Sequence, residues 1–415
     1  MFNTIDEVYD YLYNQKKLSK RVNLERIKRA YTDLNIKINY KIIHIAGTNG
    51  KGSTAFYIKN ILSSINKRVG LFVSPFILRF NERIQVNDRF ISDSEIIHYS
   101  NILYTYNEDY KVKYNDVIPF FELTLLMALM YYQDRGIDVA VIECGLGGLL
   151  DSTNFLDTDI SIITNVGYDH MAQLGSTLDE IADHKLGIAR VGHPLITAVS
   201  NELKDKFINY SKDNNINLIR VNDDVTDIYL DSYTHFKYKN IEYKTSLLGL
   251  YQAYNASIAI EAAKLYDSKI SDELINYALS DYKWPGRFEI VSKNPIIILD
   301  GAHNISAIEA LEDSIKKLYP NKKINIIFTA LVDKEYGKMI NSLDNIANKY
   351  YFTNINDLRA SNIDDFKNFT NKEYKMISNM DDEIDQAIKE IKEDELILIT
   401  GSLHFISMAR KYILK

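Results

Sequence analysis

The chain has one cysteine, Cys144, among 415 residues. A lone thiol cannot close an internal disulfide, and such sparing use of cysteine fits a reducing compartment. Basic stripes are absent too: 49 Lys and Arg are mixed evenly with 56 Asp and Glu, for a net charge of −7. That balance excludes the electrostatic footprint of nucleic-acid binding. The start, MFNTIDEVYD, has acids where a secretory signal would have an apolar core, so no signal is expected. The most apolar stretch, VIPFFELTLLMALMYY, is short of a membrane span and carries Glu122, which predicts a buried helix. A cytoplasmic globular protein, monomeric and without a nucleic-acid or membrane partner, is expected.

Several complete nucleotide motifs are also missing. The loop near residue 44, HIAGTNGKGSTAFYIKNIL, departs from G-x-x-x-x-G-K-[ST], with Ile45 at the first Gly and Gly52 at the hydroxyl position. The second glycine cluster, ECGLGGLLD, does not satisfy the dinucleotide pattern G-x-G-x-x-G, because Leu150 takes the last position. No Asn-Lys pair is followed two residues later by Asp, which excludes the usual base-reading motif of a GTPase.

Short apolar runs alternating with helical patterns are plentiful. KIIHIAG, VGLFV, DVAVIE, DISIIT and PLITA read as strands of a parallel sheet covered on both faces. After about residue 215 the alternation weakens, and LIRVNDDVTDIYLDSYTHFKYKNIEYKTSLL predicts antiparallel strands or hairpins. A helix around QAYNASIAIEAAKLY follows, then KWPGRFE with the only Trp. A fresh alternation through PIIILDGAHN, KINIIFTAL, KYYFTN and ELILITGSLHF predicts a second parallel sheet. The chain is too long for one ordinary core, so two domains are expected, 1–284 and 285–415, joined near Pro285-Gly286.

The segment Gly47-Thr48-Asn49-Gly50-Lys51-Gly52 falls at a strand-to-helix turn, with Ser53 opening the helix. Its glycines let backbone N–H groups converge, Lys51 adds a positive charge and the helix start adds its dipole. A polyphosphate suits such a turn better than a plain surface loop. Glu143 ends an apolar strand, where a carboxylate is costly unless paired, for instance with Lys51, or bound to a metal. His170, in YDH, is the nearest candidate to share a Mg²⁺ with it; the ordinary alternative is a satisfied core histidine. Cys144 has no activating base beside it in sequence and reads as a buried small residue.

The motifs GTNGKGST, ECGLGGLLDSTN, DHMAQLGSTLDEIADHKLGIAR, PGRFE, LDGAHN and TGSLHF occur in this order from about residue 40 to the C-terminus. Together they resemble folylpolyglutamate synthase and dihydrofolate synthase, members of the Mur ligase superfamily. The resemblance implies an α/β fold: a P-loop parallel-sheet ATPase domain followed by a smaller doubly wound α/β domain closing over ATP. Its phosphate loop has one extra residue between Lys and the hydroxyl, so Ser53 supplies the group missing at 52. The implied reaction is ADP-forming: ATP phosphorylates the γ-carboxylate of a reduced folate, and the amine of L-glutamate displaces phosphate to form an amide.

The same resemblance implies the roles of individual residues. Glu143, His170, Ser74 and Lys185 would hold Mg²⁺, with Lys185 carrying a carbamate, since a plain ammonium would be repelled by the metal. Asn255 would contact adenine, Arg287 phosphate and Asp300 ribose, with His303 near the γ-phosphate. Taken alone, Ser74 is a loop serine, Lys185 a surface helix lysine, Asn255 a helix cap, Arg287 a linker salt bridge and Asp300 a strand-end turn. Leu149 stands where many bifunctional members carry Arg, which resembles the folylpolyglutamate-only type; dihydropteroate as acceptor is the alternative. Two further readings are a Mur ligase acting on a UDP-linked peptide and a non-catalytic nucleotide-binding module. Only about forty residues precede the loop, too few for the UDP-holding domain, and retention of Glu143, His170 and Lys185 speaks against the second.

Overall fold

The computed structural model describes residues 1–15, 23–280, 282, 284–357, 359–377 and 379–414. Lys283, in the stretch KWPGRFE, lies outside them. The chain divides into two compact units: residues 1–166, 171–222 and 258–278, and residues 167–170, 223–257 and 279–415. A single cut before Pro285 therefore does not describe the contacts. The YDH loop and the antiparallel strands after residue 223 group with the C-terminal part.

The first unit is built on an eight-stranded sheet. Its strands are β1 (Lys41–Ala46), β2 (Val69–Phe72), β3 (Ile84–Val86), β4 (Arg89–Phe90), β5 (Val139–Glu143), β6 (Ile160–Ile163), β7 (Pro194–Thr197) and β8 (Asn217–Arg220), in the order β4-β3-β2-β5-β1-β6-β7-β8. From β2 to β8 every pairing is parallel, and β3 and β4 add an antiparallel edge. The five apolar runs predicted as strands are β1, β2, β5, β6 and β7. They are continuous rather than alternating because both faces are covered: Ile42, Phe72, Ala140 and Ile142 pack into one core, and Ala46, Cys144, Ile163 and Leu195 into another.

The apolar stretch around Glu122 is a buried helix, Phe120–Arg135. Glu122 is buried and held by Arg26, whose Nε and Nη2 donate to its two oxygens at 2.8 and 2.7 Å. Among the described residues no helix is long and apolar enough to cross a membrane.

The second unit holds an antiparallel sheet of β9 (Val225–Leu230), β10 (Thr234–Tyr238) and β11 (Ile241–Thr245), as the sequence predicts, and a six-stranded sheet. The latter comprises β12 (Glu289–Lys293), β13 (Ile296–Leu299), β14 (Lys323–Phe328), β15 (Ala347–Thr353), β16 (Glu373–Ile377) and β17 (Glu395–Thr400), ordered β12-β13-β17-β14-β15-β16. All pairings are parallel except β12 with β13. Successive residues of β13 serve opposite cores, Ile298 one and Ile297 and Leu299 the other, so helices cover both faces.

Candidate active site

In the first sheet β1 lies between β5 and β6, and the crossover direction reverses there. A doubly wound sheet opens its ligand crevice at such a point, beyond the carboxyl ends of the strands. The phosphate loop leaves β1 at this edge, and Glu143 ends β5 beside it, with Ile45 and Glu143 in register. The helix Lys51–Ser64 begins two residues before the predicted Ser53, with Gly50 as its N-cap in the left-handed region (φ 80°) and no side chain capping the first turn. An uncapped, glycine-led helix start beside a lysine presents N–H groups and a dipole end that favour an anion.

The loop is shaped by β6's extension. Thr48 N–H donates to the Asn165 carbonyl at 3.1 Å, Asn49 N–H to Asn165 Oδ1 at 2.9 Å, and Thr164 Oγ1 donates to the Asn49 carbonyl at 2.6 Å. Gly47 is required by this packing, since a Cβ there would stand 1.8 Å from Thr164 Oγ1. Lys51 Nζ donates to the carbonyls of Gly47 and Thr48 at 3.0 and 3.1 Å, so the ammonium is folded over its own loop. Ser53 is buried at the third helical position.

Glu143 is 4% exposed, and its Oε2 accepts the Ser74 N–H at 3.0 Å. Ser74 lies just beyond β2, so two expected metal-binding residues meet. Lys185 sits on the helix Leu178–Leu186 and is 2% exposed, which rules out a surface helix lysine. That helix is tied to the glycine loop after Glu143, where Leu149 N–H donates to the His184 carbonyl at 2.6 Å. Cys144 is buried, and burial pushes its thiol well above the usual range.

The second unit gathers the other expected residues. His170 lies seven residues past β6, with φ 52° and an imidazole 41% exposed, and is no core histidine. Beside it, Asp169 takes a hydrogen bond from Lys334 Nζ at 2.6 Å and one from Asn304 Nδ2 at 3.1 Å, with His303 Nε2 at 3.6 Å. Burial pushes this carboxyl up, but His303 and the Lys334 ammonium outweigh it and hold Asp169 well below the usual carboxylate range. Asp300 accepts the backbone N–H groups of Phe288 and Ala302 at 2.7 and 2.8 Å, so it does form a strand-end turn, and burial raises its pKa. Arg287 lies against Gly301, next to Asp300. Asn255 is inside the helix Tyr251–Tyr266 rather than capping it, and donates to Gln252 Oε1 at 3.1 Å. Tyr251, on the same helix, reaches Asp300 Oδ2 at 3.4 Å.

Sequence reasoning missed Asp169, Lys334 and Arg83. Arg83 is buried against the rings of Phe76, Phe120 and Phe80, with its guanidinium carbon 5.1, 5.3 and 5.9 Å from their centroids, and burial lowers its pKa to about 10. The signals were slight: a carboxylate beside a singled-out histidine, and an Arg in an aromatic-rich loop. For a divalent cation, no group of three or more His, Cys, Asp and Glu converges among the described residues. The expected donor set contains only two of these types, Glu143 and His170, completed by oxygens of Ser74 and a modified Lys185. Three oxygen donors with one imidazole nitrogen suit Mg²⁺, and the buried Glu143 against Ser74 fits such a set.

The Mur ligase middle domain matches residues 45–263, and the Mur ligase glutamate ligase domain matches residues 286–403. With the phosphate loop at the switch point of one sheet and a second α/β unit after it, the molecule has the build of a Mur-type ligase. It is 34% identical to the dihydrofolate synthase/folylpolyglutamate synthase of Bacillus subtilis over 99% of both chains, and 29% identical to the folylpolyglutamate synthase of Lacticaseibacillus casei over 98% of both. It superposes on Escherichia coli FolC in complex with DHPP and ADP with a TM-score of 0.88 at 25% identity, covering 99% of this chain and 98% of that one. The chain belongs to the folylpolyglutamate synthase/dihydrofolate synthase family.

Proposed function

We propose that this protein is an ATP- and Mg²⁺-dependent, ADP-forming amide ligase that adds L-glutamate to the γ-carboxylate of tetrahydrofolate and its polyglutamates. The observation that carries this reading is the uncapped helix start at Gly50-Lys51 beside the buried Glu143, at the switch point of a parallel sheet. A carboxylate has no leaving group until phosphorylation supplies one. The γ-phosphoryl group of ATP passes to the folate carboxylate; the glutamate amine then attacks the acyl carbon, and phosphate departs with the C–O bond.

In this reading Gly47, Thr48, Asn49, Gly50, Lys51, Gly52 and Ser53 hold the phosphates through backbone N–H groups, the Lys51 ammonium and the Ser53 hydroxyl. Ser74, Glu143, His170 and Lys185, the last as a carbamate, hold Mg²⁺, which when bound neutralises charge on the transferring phosphoryl group. Asn255 reads adenine, Asp300 the ribose and Arg287 a phosphate, and His303 stands near the γ-phosphate. Leu149, where many bifunctional members carry Arg, resembles the folylpolyglutamate-only type, and a monomer in the cytoplasm is the expected setting. The functional border is taken before Pro285, between the stretches that match the two Mur ligase domains.

A second reading, glutamate joined to dihydropteroate, is favoured by the double name of the Bacillus subtilis relative. One assay separates the possibilities: ADP release by the purified protein with Mg-ATP, glutamate and either tetrahydrofolate, dihydropteroate or a UDP-muramoyl acceptor. ADP release that needs both tetrahydrofolate and glutamate is expected. Release with dihydropteroate as well adds the second activity, whereas turnover only with the UDP-muramoyl acceptor, or with none of the three, overturns the proposal.

A further inference from the structure

Beneath the phosphate loop lies a buried polar chain that none of the proposed catalytic roles uses. His44, the fourth residue of β1, is 0% exposed. Its Nε2 lies 2.7 Å from Thr153 Oγ1 and 3.0 Å from Cys144 Sγ. Thr153 Oγ1 lies 2.5 Å from Asp151 Oδ1, which also accepts the Thr153 N–H at 2.9 Å. The other oxygen of Asp151 accepts the Leu146 N–H at 2.7 Å.

The proton inventory fixes the direction of this chain. Burial raises the pKa of Asp151, but the hydrogen bonds it takes from Thr153 and from the Leu146 and Thr153 N–H groups oppose that; as a carboxylate it only accepts, so the Thr153 hydroxyl hydrogen goes to Asp151. Thr153 Oγ1 must then accept from His44, which places the imidazole proton on Nε2. Nδ1 is left bare, and it has no hydrogen-bond partner among the described residues. Burial, with a smaller contribution from Arg190, holds the imidazole neutral, with its pKa lowered to about 3. His44 is therefore a fixed neutral donor, neither a base nor a nucleophile's partner, across the whole physiological range.

What the chain joins gives it meaning. One end is β1, whose next residues are the phosphate loop. The other end is the turn 144–151, which leaves Glu143 directly and bonds through Leu149 N–H to the backbone of the Lys185 helix. We propose that His44 is a positioning residue: through Thr153 and Asp151 it sets the turn that holds Glu143 and Lys185 in register with the phosphate loop. The role rests on the metal and phosphate assignments above, and it predicts that His44 governs how tightly Mg²⁺ is held in the working complex.

His44→Leu removes the donor at similar volume, and His44→Gln restores an N–H donor near the Nε2 position. Two readouts are needed. In hydrogen exchange, peptides covering 144–153 should lose protection at least several-fold in the Leu variant and regain it in the Gln variant. In ligase assays, the Mg²⁺ concentration for half-maximal rate should rise about tenfold in the Leu variant and return towards the parent value in the Gln variant, with thermal unfolding retained in both. A Leu variant with a loosened turn but the parent Mg²⁺ dependence overturns the positioning role and leaves a structural one. Unchanged exchange in the Leu variant overturns the chain itself. Should the parent protein show no ligase activity, the functional proposal fails, while magnesium binding followed by calorimetry in the same variants still decides for or against His44: a parent-like affinity in the Leu variant overturns it.

Discussion

Glu143 shows how a residue acquires a role from its neighbours. A carboxylate at a buried strand end is unfavourable until something compensates it, and the Ser74 N–H does so in part. Glu143→Gln keeps the size and the acceptor oxygen for that N–H but removes the charge a cation needs. We expect a loss of ~10²-fold or more in ligation rate with an unchanged melting profile; near-normal turnover of the folded variant removes Glu143 from the metal site. Lys185 requires a different comparison. A lysine almost wholly out of solvent either serves as a buried cation or is no longer a cation. As a carbamate ligand it needs a free amine to react with CO₂, so Lys185→Ala should be nearly inactive and partly rescued by acetate. A counter-charge to phosphate would instead survive in Lys185→Arg, because Arg keeps the charge and cannot carry a carbamate. High activity of the Arg variant in the ligase assay rejects the carbamate.

At the scale of elements, the strands legible in the sequence as continuous apolar runs are β1, β2, β5, β6, β7, β13, β14, β15 and β17, because such runs leave few other readings. The short or polar strands β3, β4, β12 and β16 are not legible. β4 is Arg89–Phe90 alone, and β16 reads EYKMI with no buried residue, so both exist through pairing rather than composition. The site divides in the same way. The phosphate loop is local, and its glycines, lysine and helix start announce it, whereas His44, Arg83 and Asp169 depend on partners from 37 to 165 residues away. The helix Phe120–Arg135 offers a test at this scale. Its Glu122 is buried with Arg26, and removing one partner leaves an uncompensated charge in the core. Arg26→Ala should lower stability by about 3–5 kcal/mol, whereas the paired change Arg26→Met with Glu122→Leu should recover most of the loss. Urea denaturation of both variants checks this: equal destabilisation by the single and the double change contradicts it.

For the whole molecule, pH acts on the C-terminal unit through carboxylates of opposite behaviour, Asp169 and Glu383 among them. Asp169, held well below its ordinary 3.8, contributes stability that is present above that value and lost as the pH falls through its depressed folded pKa. Glu383 does the reverse. It is 0% exposed on the helix Met380–Glu390, and burial raises its pKa from 4.5 to about 7 despite the nearby Lys375 and Lys349 and the Ile377 backbone N–H, with Glu390 adding to the rise. A raised folded pKa means that its contribution is complete below pH 4.5 and lost as the pH climbs through 7. Stability of this unit should therefore decline between pH 5 and 8, where an ordinary surface carboxylate would have no effect. Glu383→Gln keeps the shape and cannot ionise, so its advantage over the parent should be small at pH 5 and grow steadily to pH 8, as measured by urea unfolding at each pH. An advantage that is constant across this range means that Glu383 is not the group whose ionisation costs the fold stability at neutral pH.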